Sequence, residues 1–499
     1  VPSRWLVANE GDNVAIALVT LDPGEAIAGM ALLEAIPAGH KFAIRAIAKE
    51  QPVIKLGHLI GHASADISPG QHVHSHNLHF TLHRGRRPTE GRGINLPMHE
   101  ASFEGFLRDD GDVGTRNAIA ILTTVNCSAT VAKRIAAHFT AERLALYPNV
   151  DGVVAFSHMS GCGMAKSGRG IENLQRTIAG YAKHPNFAAV LVVGLGCEVN
   201  QIGSLLEREH LGSRSRIQTL QIQDEGGTAT AIQAGISKVQ AMLPIANACK
   251  RTTVSAEHLT IGLQCGASDG YSGLTANPAL GAAADWLVAA GGKVILSETP
   301  EIYGAEDLLL GRAASATVGQ ALLDRLEWWE GYAARDGADL NNNPSPGNRA
   351  GGITTILEKS LGAVAKAGTS PLNAVVDYAE TVTEPGLTFM DSPGYDPCSA
   401  TGQIAGGANL ILFTTGRGSV FGSGPIPTIK LASNARLAQT MAGDIDVDCS
   451  PVLDGMSVAE MGDLIFQSIL EIASGRQSAS ERHGIGENEW VPWIPGAMF

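Results

Sequence analysis

The chain has 499 residues, 44% of them hydrophobic, with 49 acidic against 36 basic side chains and a formal charge of −13. That length exceeds one core and implies two or three domains. The acidic balance, without a Lys/Arg cluster, excludes nucleic acid as the main partner, because such binding rests on neutralising phosphates. No apolar run reaches the roughly 18 residues of a membrane span, and Val1–Ala8 is no secretory signal, so the expectation is a cytoplasmic protein with no membrane contact. Seven dispersed cysteines, an odd number, read as reduced thiols rather than a disulfide framework.

Residues 1–80 alternate short apolar runs with polar turns and read as a small β-rich domain. It ends in Gln71–His79, where His72, His74 and His76 alternate and would share one face of a strand, with His79 on the other. Such a cluster suits a metal or acid/base work; a solvated His-rich edge strand is the plainer reading. Arg84–Met98 is a linker by composition.

From there strand and helix alternate. Asn117–Val125, Gly152–Phe156, Ala188–Leu195 and Arg216–Ile222 read as strands, the last followed by a helix to about Leu243. Residues 244–258 are polar enough for a boundary. The rhythm resumes with Leu259–Leu263, a helix over Asn277–Ala290, a strand Lys293–Leu296, helices over Thr317–Ala334 and Ile353–Lys366, strands Leu387–Met390 and Asn409–Thr414, and a helix Val458–Ala473. This βαβ order predicts an α/β protein with a mostly parallel sheet covered by helices.

The chemistry is expected at the carboxyl ends of the strands. Cys127, Cys162, Cys197 and Cys265 each follow a strand, in loops of small residues. Thiols so placed can converge on an iron or iron–sulfur site; small buried cysteines in packed loops are the competing reading. None has CxxC spacing, so a zinc ribbon gets no support. His158, four residues before Cys162, is a candidate ligand or general acid, or a satisfied buried histidine. Glu198, Asp269, Glu298, Glu301, Asp391 and Asp396 fall in the same class of loop and are candidates for cation binding or proton abstraction. Gly416-Arg417-Gly418 places a cation between glycines, which suits a carboxylate or phosphate. There is no Walker A motif, no dinucleotide fingerprint and no nucleophile elbow.

Several longer stretches then become recognisable. Arg108–Asn117, Val125-Asn126-Cys127-Ser128, Gly161-Cys162-Gly163, Gly194–Glu198, Gln264–Tyr271, Ser297–Glu301, Ala400–Gln403 and Gly416–Gly418 together resemble the altronate/galactarate dehydratase family, along almost the whole chain. Val53-Ile54-Lys55 and Val73–Asn77 resemble the small β-clip (SAF) domain of that family. The resemblance implies a β-clip domain over 1–83, a linker over 84–102, a second α/β part over 103–250 with a possible dimerising role, and a Rossmann-like catalytic part over 251–499. It implies a hydro-lyase activated by ferrous iron, with Mn2+ or an iron–sulfur cluster as alternatives, that removes water from a sugar acid to give a 2-keto-3-deoxy acid. D-altronate is the first expectation, galactarate dehydration and sulfolactate sulfo-lyase activity the alternatives. The expected site comprises His74, His76, Asp269 and Glu298 as catalytic groups, Asn77, Arg417 and Lys430 on the substrate, and Cys127, Cys162, Cys197, Cys265 and His158 as metal ligands. Cys398 stands where the motif is expected to carry an apolar residue and is left out. The expected partners are the sugar acid and a second copy of the chain. A non-catalytic sugar-acid binder or thiol sensor is the reading from another class.

Overall fold

The computed structural model describes residues 3–27, 29–81, 91, 93–212 and 216–496. Residues 3–81 fold into short antiparallel strands. Trp5–Leu6, Val14–Ala17, Lys41–Ala43 and His72–Val73 form one sheet in that order, and Pro52–Lys55, His58–Ala63 and Leu78–His79 another. Val14–Ala17 is buried along its whole length because it lies between two neighbours. Most of the expected linker, 84–90 and 92, lies outside the described residues; Ile94 and His99 bond through their backbone N–H to Thr369 and Ala289 of the C-terminal part.

The rest is α/β, as the strand–helix rhythm predicts. With the strands of the two parallel sheets numbered in chain order, the second part holds β1 (Ala118–Thr123), β2 (Gly152–Phe156), β3 (Phe187–Gly194) and β4 (Ile217–Gln221), in the order β2-β1-β3-β4 and all parallel. The C-terminal part holds β5 (Thr260–Gly266), β6 (Lys293–Leu296), β7 (Leu372–Val376), β8 (Gly386–Met390), β9 (Leu410–Thr415), β10 (Thr428–Ala432) and β11 (Val447–Asp448). Their order is β7-β8-β6-β5-β9-β10-β11, again all parallel. β5 is central, and the loops after β5, β6, β8 and β9 therefore open at one edge.

Sequence reading misses β7 and β10, as it does the two-residue β11. Asn373 interrupts the first and Lys430 sits in the middle of the second, so neither presents an unbroken apolar run. The polar stretch 244–258 also folds differently from a bare boundary. The helix Thr228–Ala248 continues past Pro244, and Arg251–Ser255 pairs antiparallel with Ser102–Leu107, clasping the two ends of the second part.

One face of the large sheet packs on the helices Ala276–Ala289 and Val458–Ala473, through residues such as Leu263, Leu280, Leu412 and Ile465. The other face carries the helix Asp396–Ala405, which packs in turn on Arg169–Lys183 of the second part, so these two parts share one core. The approach is close enough that a Cβ on Gly180 would lie 2.2 Å from the Ala405 carbonyl oxygen.

Candidate active site

The carboxyl ends of β5 and β6 deliver Cys265 and Glu298. A buried polar lattice fixes them. Gln264 donates to Ser399 (2.8 Å) and Gln403 (2.9 Å), Gln403 donates to Ser297 (2.7 Å), and the Ser392 hydroxyl accepts from the Glu298 backbone N–H (2.9 Å). Glu298 itself adopts a left-handed backbone, φ 72°, which is costly for a residue with a Cβ and is tolerated where the surroundings impose it.

The result is a closed group of charges. A sulfur or oxygen donor from each of Cys265, Glu298 and Glu301 lies within 4.8 Å of the others. Two lysines from the next layer face them, on one side of the helix Ile356–Ala365 and its end. Lys366 donates to the Cys265 sulfur at 3.0 Å and stands 3.6 Å from Glu298; Lys359 bonds Glu301 at 2.6 Å and Asn343 at 2.9 Å. Glu298 is 1% exposed, yet neither carboxyl oxygen has a hydrogen bond. Burial, reinforced by Glu301 and opposed by Lys366, raises its pKa well above the usual carboxylate range. Burial would also raise Glu301, but Lys359, Lys366 and Asn343 outweigh it and hold Glu301 below. Burial and the same Glu301 charge push Asp396 up to about 7, and burial pushes the Cys265 thiol up to about 11.

This donor set fits a divalent transition cation. One sulfur and two carboxylates suit iron or manganese, and the orphaned oxygens of Glu298 are what a missing cation would leave. Binding would require the thiol to release its proton, which the Lys366 ammonium beside it makes less costly.

Beyond β5 the chain turns through Asp269. Its Oδ1 accepts from the backbone of Tyr271 and Ser272 and from the hydroxyls of Ser272 and Ser433, its Oδ2 from Asn434. Asp269, Arg417, Asn434 and Arg436 line an open cavity of ≈ 850 Å³, roofed by Leu18, Val19 and Ala38 of the N-terminal domain. Arg417, exposed at the end of β9, points a guanidinium-bearing loop at this space. A second, smaller cavity of ≈ 30 Å³, about one water in size, is bordered by Asp269, Lys359, Lys55 and Glu358; Asp269 also lines the larger cavity and Lys359 also bonds Glu301.

The N-terminal domain is anchored here by charge as well as by packing. Lys41 and Lys55 both pair with Glu358, at 3.0 and 2.9 Å, all three buried. Beside them His40, His72 and His74 cluster with ring centroids 5.1–5.4 Å apart, His74 stacked on both others and His40 tilted against His72. His40 approaches the Ala350 carbonyl (3.2 Å) and His74 the Arg349 carbonyl (2.9 Å). Burial and neighbouring cations push His72 down to about 3 and His74 to about 4, so both rings are neutral at pH 7.

The structure thus brings together Cys265 with Glu298, Asp269 with Arg417, and His74 with His76 and two further histidines. His76 is exposed, its ring 5.6 Å from that of His72. Asn77 is a turn residue, accepting from the His74 N–H and donating to the His72 carbonyl. Lys430 is fully buried within β10 and is not among the residues lining the larger cavity. Cys127, Cys162 and Cys197 stand apart from Cys265, exposed at the carboxyl edge of the second sheet. Beside them His158 is buried with both ring nitrogens facing backbone groups, Thr123 O and Ser160 N, and burial pushes it down to about 4. Sequence reasoning names neither His40, Lys359 nor Lys366 as site residues. The seven-residue spacing of the two lysines, two turns of one helix face, is the signal that could have found them.

Family models match along the chain: the altronate/galactarate dehydratase SAF domain over 3–81, the D-galactarate dehydratase/altronate hydrolase second domain over 105–247, and the D-galactarate/altronate dehydratase C-terminal domain over 256–498. The altronate dehydratase of Escherichia coli K12 is 36% identical over 95% of this chain and 96% of its own length, and that of Bacillus subtilis 168 is 35% identical over 97% of each. The galactarate dehydratase (L-threo-forming) of Escherichia coli K12 is 35% identical over 96% of this chain and 95% of its own.

Proposed function

The chain belongs to the D-galactarate/altronate dehydratase family, and on that premise we propose that it is a hydro-lyase converting D-altronate to the 2-keto-3-deoxy acid. The observation that carries the assignment of the site is the buried trio Cys265, Glu298 and Glu301, with the Glu298 carboxyl left without a hydrogen bond. Structural cores do not retain such a group at neutral cost.

The reaction removes a proton from C2, next to a carboxylate, and expels the C3 hydroxyl. Cys265, Glu298 and Glu301 would hold Fe2+, or Mn2+ in its place. When bound, that cation stabilises negative charge on the substrate carboxylate as the C2 proton leaves. The remaining work falls to side chains. Arg417 anchors the acid in the larger cavity by a charge-assisted bond. Asp396, poised near neutrality, can take up or return a proton at working pH. His74 and His76 are the proposed acid/base pair from the N-terminal domain; the His74 ring, neutral at pH 7, is in the form that accepts a proton.

The test is steady-state dehydration of D-altronate and of galactarate by protein prepared without oxygen, with and without ferrous iron. Iron-dependent turnover with the higher kcat/KM on altronate supports the reading. A preference for galactarate would transfer the assignment to that acid, and binding of either without turnover would make the protein a sugar-acid binder.

A further inference from the structure

The second sheet carries a separate constellation that the reaction above does not use. Cys127, Cys162 and Cys197 follow three neighbouring strands, β1 in the middle and β2 and β3 at its sides. All three thiols are exposed, although cysteine is among the most buried residue types. The other non-buried cysteine, Cys249, follows the helix Thr228–Ala248.

Hydrogen bonds one to three residues from each cysteine stitch the three loops together. The Asn126 N–H donates to the Ser160 carbonyl at 2.9 Å, beside Cys127. The Gly161 carbonyl accepts from the Asn200 N–H at 3.1 Å, beside Cys162. Glu198, next to Cys197, accepts from the Thr124 hydroxyl at 2.7 Å, and Asn200 donates to the Thr124 carbonyl at 3.0 Å. Gly161 lies so close to β1 that a Cβ there would stand 2.2 Å from the Thr124 oxygen, and its φ of 98° is one that a side chain disfavours. The thiols are therefore presented around one junction by loops that cannot drift apart.

We infer that Cys127, Cys162 and Cys197 form a three-thiolate site for an iron–sulfur cluster at the carboxyl edge of the second sheet. A single thiolate-bound zinc or iron needs sulfurs roughly 3.8 Å apart, as bonds near 2.3 Å in tetrahedral array require. These three do not form a set within 4.8 Å of one another; among the described residues only Cys265, Glu298 and Glu301 do. A cluster offers a different iron to each thiolate and accepts the wider spacing. Loading releases the three thiol protons and changes no oxidation state of the protein. His158, with both nitrogens committed to the backbone, holds the Thr123 and Ser160 loops rather than the cluster.

The experiment uses the full chain purified without oxygen and reconstituted with ferric iron, sulfide and excess dithiothreitol, the thiol reducing part of the iron to the mixed ferrous/ferric level of a cluster. Iron, acid-labile sulfide and the visible charge-transfer band are measured, with maleimide labelling of each cysteine read by mass spectrometry. Sulfide and the band should appear, and cluster loading should protect Cys127, Cys162 and Cys197 from the maleimide. Cys127→Ser, Cys162→Ser and Cys197→Ser should each remove most of both signals, while Cys249→Ser and Cys265→Ser keep them. These thiols are exposed, so the serine variants should keep the circular dichroism of the parent. The inference is overturned by iron without sulfide, by equal labelling of the three thiols before and after reconstitution, or by a band that survives the triple serine variant.

Discussion

Glu198 and Glu298 occupy equivalent places, each just past a strand of a parallel sheet and each beside the end of a neighbouring strand. Their surroundings are opposite. Glu198 receives the Thr124 hydroxyl and the backbone N–H groups of Leu195 and Gly196, and although burial would raise it, these bonds hold it below the usual range. Glu298 receives no hydrogen bond and is driven upward by burial and by Glu301. A strand-end carboxylate is thus a candidate by position alone, and whether its oxygens are satisfied decides between holding a loop and doing chemistry.

Exchanging each for glutamine breaks or sharpens that contrast. Glu298→Gln should lower ferrous-iron affinity and kcat together, by at least the roughly 10–100-fold that loss of even an outer-shell metal partner costs. It should leave the melting temperature unchanged or higher, because an amide replaces a buried carboxyl whose charged form burial and Glu301 disfavour. Glu198→Gln should do the reverse, costing about 1–3 kcal/mol through unmatched loop N–H groups while kcat changes little. Equal behaviour of the two variants in urea melts and in turnover would end the distinction.

The next largest effect concerns how the N-terminal domain is held. Glu358 is the shared counter-charge of Lys41 and Lys55, and these two ion pairs, rather than its hold on the pKa, are what matter in the folded state. Glu358→Gln leaves two ammonium groups in the interior without an anion. A loss of about 3–5 kcal/mol in urea denaturation is expected, with Lys41→Met/Lys55→Met in the same background restoring much of it.

How much of this could be read from the sequence follows from the same residues. Cys265, Glu298, Asp269 and Arg417 announce themselves because polar groups follow short apolar strands, a local pattern. Lys41 and Lys366 do not, because nothing local distinguishes a buried lysine from the solvated one that its type usually is, and Lys55 and Lys430 come into view only through the family resemblance. Two of the strands that escape prediction fail for related reasons: Asn373 interrupts β7, and Lys430 is fully buried at the centre of β10, where only its tertiary setting permits it. The grouping of the cysteines is intermediate. Their loops are legible, but that Cys127, Cys162 and Cys197 share one sheet while Cys265 belongs to another depends on strand order, which spacing along the chain does not encode.

A smaller kinetic effect is expected at the open cavity. Arg417 is exposed, unlike the buried lysines, and lies in the larger cavity away from the Cys265 group, so Arg417→Ala should act on binding alone. The loss of one hydrogen bond to a charged group, about 1.5–3 kcal/mol, corresponds to a KM raised roughly 10–100-fold with kcat nearly kept. A fall in kcat of the same size would instead place Arg417 at the reacting carbons.

The gentlest test is acidification. Burial lowers His40, His72, His74, His158 and His184, the last four to between about 3 and about 4, against about 6.5 in the unfolded chain. Below pH 6.5 the unfolded state therefore takes up protons that the native state refuses, and stability must fall as pH drops toward 4. Glu358 adds to the loss only below about pH 4.5, where the unfolded chain's carboxyl takes up a proton that the native one, held down against burial by Lys41 and Lys55, refuses. The histidines divide between two regions: His40, His72 and His74 belong to the N-terminal domain, His158 and His184 to the second part. Urea midpoints at pH 7 and pH 5 should differ less in His72→Gln/His74→Gln than in the parent, since that pair no longer titrates. A parent midpoint that is flat or rises on acidification would mean that these rings are charged in the native protein, and with it the neutral, proton-accepting form assigned to His74 would be lost.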